Sequence, residues 1–122
     1  MQARGFTIIE LIVVMTVLAL LLTIAAPRYL QHIDAAKEAA LQENLHVLRD
    51  AIDKFYSDRG AYPATLQDLV EQRYLRNLPV DPVTERLDTW VLIAPKGSGR
   101  GVFDVKSGAK GAARDGTLFV SW

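Results

Sequence analysis

The sequence predicts an α+β fold in which one long N-terminal helix, apolar in its first half, packs its second half on a small antiparallel sheet of about three strands. Three observations predict it. Residues 11–27 carry no charge, helical apolar periodicity continues beyond them to about residue 58, and the last third alternates short apolar runs with glycine-containing connections.

The apolar run comes first. At 122 residues the chain has room for one domain of about 100 to 150 residues together with a membrane segment. As a helix, residues 6–27 would extend roughly 33 Å at about 1.5 Å per residue, close to the roughly 30 Å of bilayer hydrocarbon. The run can therefore cross a membrane once. The stretch Ala25-Ala26-Pro27 imitates a signal-peptide cleavage site poorly, because proline opposes cleavage, so residues 6–27 read as a retained transmembrane half-helix and residues 28–122 as a globular domain. Glu10 stands at the head of this run. A carboxylate in hydrocarbon costs a few kcal/mol even on insertion scales that place charged residues at about 2.5 to 3.5 kcal/mol, which makes it a functional candidate by default. From position alone, hydration among the headgroups accounts for it equally well.

Helical spacing then persists. Leu41, Leu45, Leu48, Ile52 and Phe55 recur at steps of four and three, which draws one apolar stripe along a helix. The opposite face pairs charges at i, i+4: Arg49 with Asp53 and Asp50 with Lys54. Gly60 and Pro63 end the segment, so one helix is expected from about Phe6 to about Asp58. Pro27 falls inside it and cannot donate to the Thr23 carbonyl. That predicts a kink or a softened turn, unless the Thr23 hydroxyl or a neighbour satisfies the freed groups.

After the helix, Thr65 can cap a short helix from Leu66 to about Gln72, with Asp68 in its first turn. Pro79 and Pro82 mark a loop. TWVLIA, GVFDVK and TLFVSW read as three short strands joined by PKGSGR and SGAKGAARDG, whose apolar face would receive the helix stripe.

Composition removes several function classes. Lys and Arg total 14 against 14 Asp and Glu, so no overall field points to nucleic acid. Lys96, Arg100, Lys106, Lys110 and Arg114 gather in the last third, yet without the interleaved aromatics that stack on bases; a solvated basic face is favoured and nucleic acid is not. With no cysteine there is no disulfide, thiolate nucleophile or cysteine zinc site. His32 and His46 lack an i, i+4 histidine partner and read as solvated or interfacial. Ser107 and Ser121 lie in no nucleophile elbow, and Asp81 reads as the start of a proline turn. With no nucleophile beside a base, the chain is not expected to be an enzyme. Trp90 and Trp122 read as core anchors.

The segment GFTIIELIVVM resembles the class III signal of type IV pilins and of the pseudopilins of type II secretion. The resemblance implies a leader of Met1 to Gly5, cut by a membrane-embedded prepilin peptidase between Gly5 and Phe6, with Phe6 then N-methylated. Glu10 becomes the fifth mature residue, facing the Phe6 amine of a neighbour in a filament of side-by-side helices, where the pair would also set axial register. The placement of Pro27 also fits the family. Arg4 gives a positive cytoplasmic flank, but Arg28 on the far side weakens the charge bias. Orientation therefore follows the resemblance: N-terminus in the cytoplasm, globular domain in the periplasm, anchored in the inner membrane.

Further along, YPATLQDLV, LPVDPVT, Trp90 and GVFDVKSGA…DGT…W resemble the major pseudopilin. The absence of cysteine favours that branch over pilins closed by a disulfide. The implied function is a structural subunit of a periplasmic pseudopilus that drives type II protein secretion. Its implied partners are copies of itself, minor pseudopilins and an inner-membrane assembly platform. The alternatives are a type IV pilin or a signal-anchored binding module that never polymerises. The family also binds one calcium ion in its C-terminal loop, for which Asp104, Ser107 and Asp115 are the candidate ligands here. Lys110 stands where the family often has aspartate, and Arg114 adds a second cation, so calcium is disfavoured and packing around Phe103, Phe119 and Trp122 is expected to hold the loop instead.

Overall fold

In the computed structural model, which describes residues 5–97 and 99–122, the chain forms helix α1 (Ile8–Arg59), helix α2 (Leu66–Glu71), strands β1 (Trp90–Ile93) and β2 (Asp104–Ser107), and a final 3-10 turn (Phe119–Ser121). Four residues of the expected leader, Met1 to Arg4, lie outside the described residues. The chain divides into two compact units, residues 1–34 and 35–122.

In the first unit α1 stands alone. Residues 5–32 are exposed throughout, as expected for a segment whose apolar surface meets something other than its own chain. An 18-residue window of this helix has a mean hydropathy of 2.8 and none of it is buried. Pro27 lies inside continuous helix.

In the second unit the stripe predicted from spacing forms the core. Leu41, Leu45, Leu48 and Ile52 are at most 2 % exposed, and Phe55 is 8 % exposed. Gly60 ends α1 with φ +70°, donating its N–H to the Tyr56 carbonyl at 2.8 Å; a side chain there would be strained. Thr65 and Asp68 close a reciprocal capping box on α2: the Asp68 amide donates to Thr65 Oγ1 at 3.3 Å, and the Thr65 amide to Asp68 Oδ2 at 3.2 Å. Leu66 and Leu69 of this helix are buried against the same core.

The sheet differs from expectation. Two strands pair antiparallel, Trp90 opposite Ser107 and Ile93 opposite Asp104, while TLFVSW makes no third strand. Among the described residues its only ladder contact is an isolated bridge from Leu118 back to Ala112. The cause lies in the preceding turn. Gly116 adopts φ +89°, and the Ala113 amide donates to the Thr117 carbonyl at 2.7 Å, which folds the chain onto itself, so that the segment after it packs against β2 as a 3-10 turn and not as a paired strand. The two large apolar residues that follow, Phe119 and Trp122, are three apart, the spacing of a helical turn, and meet edge-on at 5.2 Å. Val120, between them, is 47 % exposed.

One glycine is fixed by close approach. A Cβ on Gly108 would lie 2.1 Å from the Thr89 carbonyl oxygen, so only glycine lets the end of β2 pass the start of β1.

Candidate functional site

The residues at the head of α1 are open to solvent and to partners. Phe6 is 87 % exposed. A Cβ on Gly5 would meet no atom within 4 Å, so the chain's own packing imposes no requirement for glycine there. Any such requirement must come from a molecule that approaches this backbone.

Glu10 has a local role that the sequence signalled. Its amide donates to Thr7 Oγ1 at 3.2 Å, and its Oε2 accepts the Thr7 amide at 3.3 Å. This is a capping box on α1, the Thr-x-x-Glu pattern before an apolar run. Among the described residues only Oε2 of the carboxylate is engaged, which leaves Oε1 for an outside donor. The pattern is legible in FTIIE, where the same glutamate also stands out as a charge at the head of an apolar run.

Two hydroxyls lie deeper in the run. Thr16 Oγ1 donates to the Ile12 carbonyl at 2.8 Å and Thr23 Oγ1 to the Leu20 carbonyl at 2.6 Å. The Thr23 hydroxyl thus turns back to the preceding turn, and it is not the group that compensates the N–H missing at Pro27.

The C-terminal loop is tied to α1 by two guanidinium groups. Arg49 does not pair with Asp53: its Nε donates to Asp104 Oδ1 at 2.9 Å, and its Nη2 donates to the Val105 carbonyl at 3.0 Å and to the main-chain oxygen of Trp122. Arg114 donates to Glu38 through its amide, at 2.7 Å, and through Nε, at 2.9 Å. These bonds, the amide first and then the guanidinium, hold the Glu38 carboxyl below its ordinary value. The expected pair of Asp50 and Lys54 does form, at 2.9 Å.

Each of the three candidate calcium ligands has protein partners. Asp104 accepts from Arg49 and from the Val105 amide. Ser107, fully buried, donates to Asp81 Oδ2 at 2.5 Å and accepts the Ala109 amide at 3.1 Å. Asp115 accepts the Thr117 hydroxyl at 2.6 Å and amide at 3.0 Å, which lower its pKa. Among the described residues no three His, Asp or Glu come together as a metal site. Lys110 is exposed.

Asp81 begins its proline turn as expected, accepting the Val83 amide at 2.8 Å and the Thr84 amide at 3.3 Å. Its bond to Ser107, 26 residues away, is a long-range link that local sequence cannot reveal. Trp90 is buried and its Nε1 donates to the Pro79 carbonyl at 2.8 Å. Trp122 is half-buried and its Nε1 donates to Thr117 Oγ1 at 2.9 Å. Both are anchors. Phe103 is 46 % exposed and meets Tyr62 edge-on at 5.4 Å, so it packs away from the Phe119–Trp122 pair rather than with it. His32 and His46 are exposed.

Residues 1–26 match the prokaryotic N-terminal methylation motif. The chain is 31 % identical over 97 residues to the type II secretion system core protein G of Pseudomonas aeruginosa, covering 66 % of this chain and 68 % of that one. It is 32 % identical to the core protein G of Klebsiella pneumoniae, over 66 % of this chain and 69 % of that one. The fimbrial protein EcpC of Eikenella corrodens is 26 % identical over 98 % of this chain and 80 % of its own length. No solved structure matches the chain significantly.

Proposed function

The chain belongs to the family of type II secretion system core protein G, and from that membership we infer that it is a pseudopilin: a structural subunit, not a catalyst, that polymerises from the inner membrane into a periplasmic pseudopilus driving type II secretion. Prepilin peptidase cuts between Gly5 and Phe6 and Phe6 is then methylated. Residues 6–27 span the inner membrane with the N-terminus cytoplasmic and the domain from residue 28 periplasmic. Copies of the chain associate through their N-terminal helices. Minor pseudopilins and an inner-membrane platform complete the assembly.

One observation carries this reading: Glu10, bonded to the Thr7 amide through a single oxygen, heads a charge-free run, residues 11–27 of α1, that its own chain leaves uncovered. In a filament the other oxygen, Oε1, accepts from the free Phe6 amine of a neighbour, so that two charges costly in hydrocarbon neutralise each other. The capping box makes the test sharp, because glutamine sustains a capping box and alanine does not. Glu10→Gln keeps the cap and loses the charge; Thr7→Ala weakens the cap by about 1 kcal/mol and keeps the charge. We expect all variants to be cleaved, Glu10→Gln and Glu10→Ala to give no filaments on shearing, and Thr7→Ala to give reduced but real yield. Normal filaments from Glu10→Gln would reduce Glu10 to a helix cap.

A type IV pilin is the second reading, favoured by the nearly full-length similarity to the Eikenella fimbrial protein. Deletion separates the two: loss of folded-protein export supports the pseudopilin, loss of a surface fibre with export intact supports the pilin. The C-terminal loop we take to work without calcium. Support comes from the protein groups that engage Asp104, Ser107 and Asp115, and from the two guanidinium ties to α1, since a calcium cage needs six to eight oxygens directed at one point.

A further inference from the structure

The filament reading uses the head of the apolar run and leaves its far end unexplained. There Arg28, Tyr29, Gln31 and His32 follow Pro27 in quick succession, with Tyr29 67 % exposed. Arg28 makes no ion pair among the described residues. The residues one turn further along its face are Gln31 and His32, so no carboxylate of its own helix reaches it. An arginine on the periplasmic flank also opposes the positive-inside bias, a cost that a local anion would offset.

The spacing indicates which anion. Arg28 follows Glu10 by eighteen positions, about 27 Å of helix, against roughly 30 Å of hydrocarbon. Between them the only hydroxyls, Thr16 and Thr23, donate to their own helix, so they present no unsatisfied donor to lipid. A single subunit can therefore lie in a bilayer with both hydroxyls satisfied within the helix and its flanking charges, Glu10 and Arg28, at the two surfaces.

We propose that Arg28 and Tyr29 form a collar that binds lipid phosphate at the periplasmic headgroup layer and fixes the depth of the unassembled subunit. The guanidinium takes the phosphate oxygens and the tyrosine ring lies at the interface beside it. With that edge fixed, Glu10 and its Thr7 cap rest in the cytoplasmic headgroup layer, and the carboxylate enters hydrocarbon only when the subunit is drawn into a filament. The inference rests on residues 6–27 being a membrane span.

The chain has no cysteine, so single cysteines placed at residues 8, 9, 11, 12, 18, 25, 26 and 30–33 of the full chain, which leave Glu10, Arg28 and Tyr29 in place, can each carry a fluorophore. Depth is read by doxyl-lipid quenching in phosphatidylethanolamine–phosphatidylglycerol vesicles. The expected profile is deep from residue 11 to residue 26 and shallow at residue 9 and from residue 30 onward. In Arg28→Leu/Tyr29→Leu, which lengthens the apolar run and so favours insertion, both edges should move by about one turn, roughly 5 Å; Arg28→Lys should hold them. A deep window whose edges stay fixed in the double variant overturns the collar and leaves the membrane span intact. A profile with no deep window overturns the span, and the collar with it.

Discussion

Replacing Arg49 by methionine keeps the stem of the side chain and removes its donors. Three hydrogen bonds are lost: Nε to Asp104 at 2.9 Å, and Nη2 to Val105 and to Trp122. A hydrogen bond to a charged group contributes about 1.5 to 3 kcal/mol, but the side chains of Arg49 and Asp104 are 36 % and 31 % exposed, so water takes up part of what the guanidinium gives. About 1 kcal/mol for each bond is the discounted figure, near 3 kcal/mol in total. The unit that holds the core spans residues 35–122, and for a domain of that size each kcal/mol moves the melting temperature by about 4 to 8 °C. Arg49→Met should therefore melt roughly 12 °C or more below the parent. Arg49→Lys, which keeps charge but not the fork, should fall between. The full chain in detergent supplies the assay, since Trp90 lies in β1 and Trp122 accepts one of the lost bonds, so their fluorescence reports on the region released. A drop under about 4 °C would mean that the C-terminal segment is held by its apolar contacts, with the guanidinium a bystander.

Calcium at millimolar concentration, compared with chelator, should leave that melting temperature unchanged; a ligand at a hundred times its dissociation constant adds about 2.7 kcal/mol, so a rise of several degrees would show that the loop does bind the ion. Acid should loosen the Glu38–Arg114 tie: because the folded carboxyl titrates below its ordinary value of 4.5, its contribution is fully present above that pH and disappears as pH falls through the lowered folded value. Glu38→Gln should accordingly show a shallower loss of melting temperature below pH 4.5, and an unaltered acid slope would discount the tie. Gly108→Ala places a Cβ 2.1 Å from the Thr89 carbonyl oxygen, which should cost about 1 to 3 kcal/mol, read as a lowered urea midpoint with unchanged slope.

What could be read from sequence was local. The stripe from Leu41 to Phe55 announced itself because a helix brings positions three and four apart onto one face, and Thr65 with Asp68 announced α2 for the same reason. Phe119 and Trp122 carried a helical spacing too, but the β-rich composition of TLFVSW masked it, and the third strand was the result. Arg49 illustrates the limit. Asp53 was the nearer carboxylate by sequence, whereas Asp104, 55 residues away, is brought close only once β2 packs on α1. The link between Asp81 and Ser107 was hidden in the same way, because neither residue has a periodicity that points to the other. The distant partners of Asp104 and Ser107, Arg49 and Asp81, were beyond reach for this reason, whereas Thr117 lies only two residues from Asp115, and the charges of Lys110 and Arg114 already weighed against an ion.

The proposed function couples cleavage and assembly chemically at Glu10. While Gly5 remains attached, the nitrogen of Phe6 is a neutral amide and offers no charge to a neighbour's carboxylate. Cutting converts it to an amine with an ordinary pKa of about 7.7 to 8.0, a cation near neutral pH. The fold around Gly5 does not change this balance, since among the described residues, its chain neighbours aside, none lies within 4 Å of its Cβ position. Gly5→Leu should thus leave the folded domain and the Thr7–Glu10 cap untouched while blocking peptidase approach. Such a subunit carries a Glu10 able to accept but no amine to give. Co-expressed with the parent chain, it should stay in the membrane fraction at full length and be absent from sheared filaments, or appear only at their ends, where one partner suffices. Mass spectrometry of the two fractions decides the matter. Full-length Gly5→Leu incorporated along filaments in proportion to its expression would show that register is set without the amine, and that Glu10 serves only the start of its own helix.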